Sequence, residues 1–113
     1  MSTRFGSMVS IVKNIALNIP DRLLAYLRQI GSVSNQRSVK AYTVGGVVRD
    51  LILSNENQIK DRTLDLDIVI ENNAIDVAQK IADDFTTSIN IHKQFGTAKI
   101  ITKENFRIDF VTA

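Results

Sequence analysis

The spacing of apolar residues predicts a helix near the start of the chain. The segment DRLLAYLRQIG, which follows Pro20, has apolar residues every three or four positions, as on one face of a helix. Proline suits the first helical turn, Asp21 complements the positive helix end, and Gly31 is expected to end the helix. The apolar face consists of Leu23, Leu24, Leu27 and Ile30.

Further along, the pattern changes to short extended segments. Residues 39–44 predict a short strand, the glycine pair at 45–46 a tight turn, and residues 47–54 a short helix. The polar segment SNENQIKDRT has no apolar period and predicts a loop. Residues 64–70 alternate between apolar and other side chains, so they form the clearest predicted strand of the chain.

The C-terminal part predicts one helix and three strands. The segment NAIDVAQKIADDF indicates a helix of about three turns, which Asn72 or Asn73 would cap. Its inward face would consist of Ile75, Ala78, Ile81, Ala82 and Phe85. Strands are predicted over 88–93, 97–102 and 106–112, and QFGT and KEN are the predicted turns between them.

This order of elements predicts an α+β fold, with a mixed sheet flanked by helices. A chain of 113 residues suits one small domain with one core. We expect residues 20–113 to form that domain and residues 1–19 to form an N-terminal arm or helix. Because the last predicted strand runs to the C-terminus, the chain is expected to be a piece of something longer.

Composition narrows the class of protein only slightly. Fourteen basic and twelve acidic residues leave a net charge of +2, which is too small to argue for nucleic-acid binding by itself. The absence of cysteine excludes disulfides and thiolate metal sites. No apolar run reaches the length of about eighteen residues that a membrane span needs, and no signal peptide is recognisable. These features fit a cytoplasmic chain without membrane contact.

The segment YTVGGVVRDL is a candidate phosphate-binding site, because Gly45 and Gly46 lie between a predicted strand and a predicted helix. Glycine permits a sharp turn and close ligand approach, and N–H groups of a first helical turn suit a triphosphate. A plain tight turn is the alternative. Arg49 can reach a phosphate or a carboxylate, and Asp50 can orient it. For these two residues the alternative is a solvated ion pair.

Asp65 and Asp67 are a sharper signal. They lie two apart on a predicted strand, so both carboxylates face away from its apolar side. Neighbouring anions repel each other unless a cation or solvent separates them, and hard oxygen ligands on one face suit Mg²⁺. In a two-metal site the ions stabilise the attacking and leaving oxygens of a displacement. The alternative is a pair of surface carboxylates, although aspartate is a poor strand former.

Asp109 lies on the last predicted strand, in the segment RIDFV. If this strand runs beside the strand of the carboxylate pair, Asp109 is a candidate third ligand or general base for a hydroxyl nucleophile. The alternative is a charge on an edge strand. Arg107 faces the same side, where it can pair with Asp109. Thr97 and Lys99 are weaker candidates for the edge of the site, and His92 is expected to be a surface residue without a role.

Four segments together resemble the head domain of tRNA nucleotidyltransferases and bacterial poly(A) polymerases: YTVGGVVRDLIL, LDLDIVIE, FGTAKI and RIDFVTA. These enzymes are the class II members of the polymerase-β-like nucleotidyltransferase superfamily. The resemblance runs from about Val39 to Ala113 and implies the head-domain fold of that superfamily. The combination of Gly-Gly-x-Val-Arg-Asp with a later Asp-x-Asp on a strand is specific, whereas neither motif alone is.

The resemblance also implies a reaction. The 3′-hydroxyl of an RNA, such as a tRNA, attacks the α-phosphate of ATP or CTP, and pyrophosphate leaves. By motif match, Asp65 and Asp67 would hold the catalytic Mg²⁺ ions. Asp109 occupies the later strand on which many superfamily members carry a third carboxylate.

The glycine motif carries the nucleotide contacts of this family. By motif match, Gly45 and Gly46 would contact the triphosphate, while Arg49 and Asp50 complete the motif near the nucleotide and the metal. The family's neck domain pairs with the incoming base through a Glu-Asp-x-x-Arg motif, which this sequence lacks. We therefore expect neck and body domains in the same or a neighbouring chain.

Two other functions compete with this one. A small stand-alone nucleotidyltransferase would modify another substrate, such as a protein or an antibiotic, but such enzymes typically carry Gly-Ser before the Asp-x-Asp. A non-catalytic remnant domain would bind Mg-nucleotide without turnover, and the missing neck motif keeps that alternative open.

Overall fold

The computed structural model describes residues 2–4, 21–44 and 65–113. In these segments two α-helices and six strands are present, together with a short 3₁₀ turn over Lys93–Phe95. The helices are α1 (Asp21–Gln36) and α2 (Ala74–Phe85). The strands are β1 (Ser2–Arg4), β2 (Ala41–Val44), β3 (Asp65–Ile70), β4 (Ser88–His92), β5 (Thr97–Ile101) and β6 (Arg107–Thr112).

The six strands form a single sheet in the order β1-β2-β3-β6-β5-β4. The central pair, β3 and β6, is parallel, and every other neighbouring pair is antiparallel. The predicted α+β class and mixed sheet are thus confirmed. A parallel pair needs a long crossover connection, and here α2, β4 and β5 lie between the two strands in the chain.

The core lies between the two helices and one face of the sheet. Alternate residues of β3 and β6 point into it, since successive strand residues face opposite sides. The strand and helix side chains that are fully or almost fully buried include Leu23, Leu27, Ile30, Leu66, Ile68, Ile70, Ile81, Ile100, Ile108 and Phe110. The rings of Tyr26 and Phe85 stack where α1 meets α2, with their centroids 4.1 Å apart. The opposite face of the sheet, here called the open face, carries the charged side chains of β3, β5 and β6.

Helix α1 extends beyond its predicted end at Gly31 and stops at Gln36. The reason is tertiary packing, because Val33 and Ser34 continue the buried face of the helix. Burial of a valine outweighs the cost of about 1 kcal/mol that glycine imposes inside a helix. The helix instead ends before Ser38, whose φ of 55° lies in the left-handed region.

Helix α2 begins where the sequence predicted it, but its start is stabilised differently. Asn73 occupies the N-cap position in a left-handed conformation, and its side chain makes no capping hydrogen bond. The N–H of Ala74 instead donates to Oγ1 of Thr112 on β6, at 3.0 Å. Asn73 thus takes the predicted cap position, but a threonine from a distant strand supplies the acceptor in place of its side chain. None of the helices in the described segments is long and apolar enough to cross a bilayer.

The inward face predicted for α2 is only partly right. Ala78, Ile81 and Ala82 are fully or almost fully buried, whereas Ile75 and Phe85 are half-buried at the edge of the core. Ala74 and Val77, which the prediction omitted, are fully buried. The buried face is therefore rotated slightly towards the sheet.

Of the predicted N-terminal arm or helix over 1–19, only Ser2–Arg4 lies within the described residues. Ser2–Arg4 forms a strand that pairs antiparallel with β2. A strand of three residues is too short to show a period, so its existence depends on the neighbouring strand. The predicted helix over 47–54 and the loop before β3 lie outside the described residues.

Replacement of Gly96 by alanine is expected to destabilise the fold. Gly96 has a φ of 64°, and an added Cβ would lie 3.3 Å from Oγ1 of Thr112. An alanine in this conformation costs about 1–2 kcal/mol. Chemical denaturation of Gly96→Ala should therefore show a lower free energy of unfolding by that amount. The matched control is Gly31→Ala inside α1, which should raise the free energy of unfolding by up to about 1 kcal/mol.

Candidate functional site

The open face of the sheet brings polar residues from distant parts of the chain into one row. Strand register makes five residues direct neighbours across β2, β3, β6, β5 and β4, in the order Val44, Asp67, Asp109, Lys99 and Asn90. We call this set the central row. Its middle is acidic, and its β5 and β4 end carries an ammonium and an amide.

Asp67 and Asp109 are the closest acidic neighbours in the central row. They are paired across the parallel strands β3 and β6, which lie about 4.8 Å apart. Because Leu66 and Ile108 face the core on one side, the two carboxylates must face the other. Asp65 lies on the same face of β3, two residues earlier, and is 59% exposed. The strand of Asp109 therefore runs beside the strand of the carboxylate pair, which is the condition for its candidate role.

The pKa of the Asp67 carboxyl is raised above its ordinary value. Partial removal of water around the carboxylate is the main cause, and the negative charges of Asp109 and Asp65 add to it. Lys99 acts in the opposite direction. The protein thus holds negative charge close together at a point where a cation would be stabilised.

Two basic side chains flank the acidic cluster, which consists of Asp65, Asp67 and Asp109. Nζ of Lys99 lies 3.7 Å from Oδ1 of Asp109, and Nε of Arg107 lies 4.0 Å from Oδ1 of Asp65. The suggested pairing of Arg107 with Asp109 is therefore wrong. In the register of the sheet, Lys99 on β5 lies opposite Asp109, and Arg107 on β6 lies opposite Asp65. Both pairs remain accessible to solvent, so a substrate or ion can reach them.

A cleft of about 390 Å³ opens beside the central row. Asp67 and Asp109 line its acidic side, and the side chains that line the rest include Asn90, His92, Thr97 and Lys99. Thr97 and Lys99, the weaker candidates from the sequence, thus line this cleft.

Two residues of the cleft were missed or dismissed from sequence. Asn90 was not singled out, and His92 was assigned no role, yet both line the cleft. The available signal was the alternation in β4, where Ser88, Asn90 and His92 are exposed. The alternation alone does not say that this strand lies two strands away from Asp109, which only the sheet order shows.

The phosphate-binding candidates Gly45, Gly46, Arg49 and Asp50 lie outside the described residues. Val44, the residue immediately before Gly45 in the sequence, is the Cα partner of Asp67. The strand that leads into the glycine motif is therefore a direct neighbour of the carboxylate strand.

The carboxylates can supply some of the ligands of a divalent cation, and water and a bound substrate would supply the others. In the described segments, no group of three or more acidic or histidine side chains could hold a metal ion by itself. Mg²⁺ binds one or two carboxylates and keeps positions for water and substrate phosphates. The exposed cluster, with its raised Asp67 pKa, fits such an ion.

The mixed sheet with helices on one face is an α+β nucleotidyltransferase fold, and it matches the head fold of CCA-adding enzymes of known structure. Residues 41–113 match the Poly A polymerase head domain, and the chain belongs to this family.

The chain is similar to tRNA nucleotidyltransferases and to CCA-adding enzymes. The chain is 33% identical over 92 residues to an A-adding tRNA nucleotidyltransferase of Geobacter sulfurreducens; the match covers 81% of the chain and 10% of that protein. Among solved structures, the Thermotoga maritima CCA-adding enzyme complexed with tRNA(CCA) is 27% identical, with a TM-score of 0.73. That match covers all of this chain and 25% of the enzyme.

Another solved structure is a tRNA nucleotidyltransferase complexed with a primer tRNA and an incoming ATP analogue. It is 32% identical with a TM-score of 0.61, and the match covers 74% of this chain and 22% of the enzyme. The chain thus spans between about a tenth and a quarter of the length of these relatives.

Proposed function

We propose that the chain is the catalytic head domain of an enzyme that transfers a nucleotidyl group from ATP or CTP to the 3′-hydroxyl of an RNA, here a tRNA. The single observation that carries this proposal is the pairing of Asp67 with Asp109 on the open face, beside the cleft. The names of the similar enzymes, and the tRNA and ATP analogue in their complexes, support the choice of substrates.

The acidic cluster is proposed to bind Mg²⁺ through Asp65 and Asp67. Bound Mg²⁺ would neutralise the charge that develops on the phosphate oxygens and on the leaving pyrophosphate. Asp65 and Asp67 lie on the same face of one strand, and their mutual repulsion favours occupation by a cation.

Asp109 is proposed to accept the proton of the attacking hydroxyl. The 3′-oxygen forms a bond to the α-phosphorus, and the bond from that phosphorus to the pyrophosphate oxygen breaks. The hydroxyl proton passes to the Asp109 carboxylate, which neighbours Asp67 and lies at the cleft surface. Lys99 orients this carboxylate through their ion pair.

The glycine motif is proposed to hold the triphosphate. Gly45 and Gly46 would offer backbone N–H groups, and Arg49 and Asp50 would complete the nucleotide contacts. The support is the sequence motif and the pairing of Val44 with Asp67. Base selection and most of the tRNA contact are assigned to neck and body domains in the same or a neighbouring chain.

Calorimetric titration of the chain with ATP and with CTP tests this function directly. We expect both nucleotides to bind in Mg²⁺, because the chain would recognise the phosphates and not the base. Neither nucleotide should bind in EDTA, because the phosphates would then lack the Mg²⁺ ion. If the folded chain binds neither nucleotide in Mg²⁺, the proposal for this chain fails. Binding of nucleotide without transfer to tRNA, even with the remaining domains supplied, would instead assign a non-catalytic nucleotide-binding function.

A further inference from the structure

We propose that the tip of the β4–β5 hairpin, residues 92–97, binds the single-stranded 3′ end of the acceptor RNA by stacking a base on Phe95. The inference rests on the proposed function, because it assigns an RNA contact beside the same cleft. Phe95 is 69% exposed, which is the highest exposure of any large hydrophobic side chain in the described segments. Proteins that bind single-stranded RNA commonly stack its bases on exposed aromatic rings.

Hydrogen bonds to β6 hold the backbone of the tip beside Phe95. Phe95 ends the 3₁₀ turn, and Gly96 follows it in the left-handed conformation. The carbonyl of Gly96 accepts hydrogen bonds from both the N–H and the hydroxyl of Thr112, at 3.1 and 2.9 Å. A ring on a fixed turn loses little conformational entropy on binding, which favours affinity.

The tip lies at the margin of the cleft. His92 and Thr97 are paired at the base of the hairpin, and both line the cleft. Lys99 follows Thr97 by two residues, roughly 7 Å along the strand, and pairs with Asp109. A base stacked on Phe95 would therefore place the adjoining nucleotide of the same RNA strand beside the acidic cluster.

The charge distribution favours an approach of RNA from the hairpin. Asp65, Asp67 and Asp109 repel phosphates on the β3 and β6 side of the open face. Lys93 lies in the tip and is exposed, and it forms no ion pair with any residue in the described part of the chain. This ammonium is available to a phosphate of the bound strand, since Lys is a common phosphate contact.

Binding of a short single-stranded RNA that ends in CC, measured by fluorescence anisotropy with the full 113-residue chain, tests the inference. Phe95→Ala should raise the Kd at least about fivefold, the lower bound for loss of one stacked base. Phe95→Trp should bind about as well as the natural chain. Lys93→Gln should weaken binding. It should also reduce the slope of log K against log salt concentration by about 1, as expected for the loss of one phosphate contact.

The Phe95→Trp variant also reports stacking directly, because the natural chain contains no tryptophan. Its fluorescence should be quenched by the RNA. Ile101→Ala and Ile101→Trp are the matched controls, since Ile101 is 48% exposed at the other end of β5. The controls should show the Kd of the natural chain and no quenching.

Mg²⁺-dependent ATP binding, measured without RNA, separates this inference from the proposed function. Phe95→Ala should leave it unchanged. The inference is overturned if the natural chain does not bind the RNA, if Phe95→Ala binds it as tightly as the natural chain, or if both alanine variants weaken binding equally. An exposed Phe95 that serves only to pack against another protein domain would produce the second of these results.

Discussion

Asp67→Asn should abolish Mg²⁺-dependent binding of ATP and CTP while leaving the chain folded. Asp67 is central to the acidic cluster, and its carboxylate faces both Asp109 and the cleft. Asparagine keeps the shape of the side chain and removes its charge. Loss of a group that only supports a metal ligand costs about 10–100-fold in metal affinity. Because Asp67 would be a ligand itself, we expect the nucleotide affinity in Mg²⁺ to fall at least about 100-fold. Calorimetry with and without EDTA measures this loss.

The same variant should be more stable than the natural chain when no metal is present. The raised pKa of Asp67 means that the folded chain still holds this proton at a pH where the unfolded chain has released it. The free energy of unfolding therefore falls as the pH rises above the ordinary value of 3.8 and through the raised pKa. Near pH 7 the ionised Asp67 destabilises the fold, and asparagine removes that effect.

Asp83→Asn is the control for this prediction, because Asp83 is exposed on α2, in the helix layer that covers the other face of the sheet. It should change neither nucleotide binding nor the response to Mg²⁺. Thermal denaturation with and without Mg²⁺ gives the second readout. With ATP present in every sample, the ion should raise the melting temperature of the natural chain and of Asp83→Asn, but not that of Asp67→Asn. Equal stabilisation of all three proteins by Mg²⁺ would contradict the metal site.

Phe110→Ala should have the largest effect on stability of any single change described here. Phe110 is fully buried on β6, the strand that pairs with β3 on one side and β5 on the other. Truncation of a buried phenylalanine costs about 3–5 kcal/mol, from lost burial and from the cavity that remains. Since small domains are stable by only about 5–15 kcal/mol, the variant should be partly unfolded at 37 °C. Chemical denaturation monitored by circular dichroism measures the loss.

Phe95→Ala provides the matched comparison for Phe110→Ala, because it removes the same side chain from the surface. The expected change in the free energy of unfolding is within about 0.5 kcal/mol. If the two variants lose equal stability, then the core does not lie where the sheet and helices place it. Together the pair also separates stability from the RNA contact proposed for Phe95.

Much of the fold is visible in the periodicity of the chain. The alternation in β3 is strong because every second residue must face either core or solvent, and it marks Asp65 and Asp67 as surface carboxylates. The helical spacing in α1 and α2 likewise indicates where these helices begin. Element ends are less visible, since α1 passes Gly31 for a reason that lies in packing and not in local propensity.

The part of the site that local pattern cannot predict is the set of neighbours on the open face. Lys99 and Asn90 meet the acidic cluster because β5 pairs antiparallel with β6 and β4 with β5. Arg107 was expected to pair with Asp109, its neighbour in sequence, but the register of β3 with β6 brings it to Asp65. The positions of Gly45, Gly46, Arg49 and Asp50 at the nucleotide remain predictions.

The sequence by itself determined which residues can carry the chemistry, because the type and the spacing of side chains decide which face of a strand they occupy. Asp65, Asp67 and Asp109 were identified in this way, as was the α+β class. Only the tertiary structure decided that Asp67 and Asp109 are direct neighbours and that Lys99 faces them. Strand order and register depend on long-range packing of the whole core, and no local pattern contains that information.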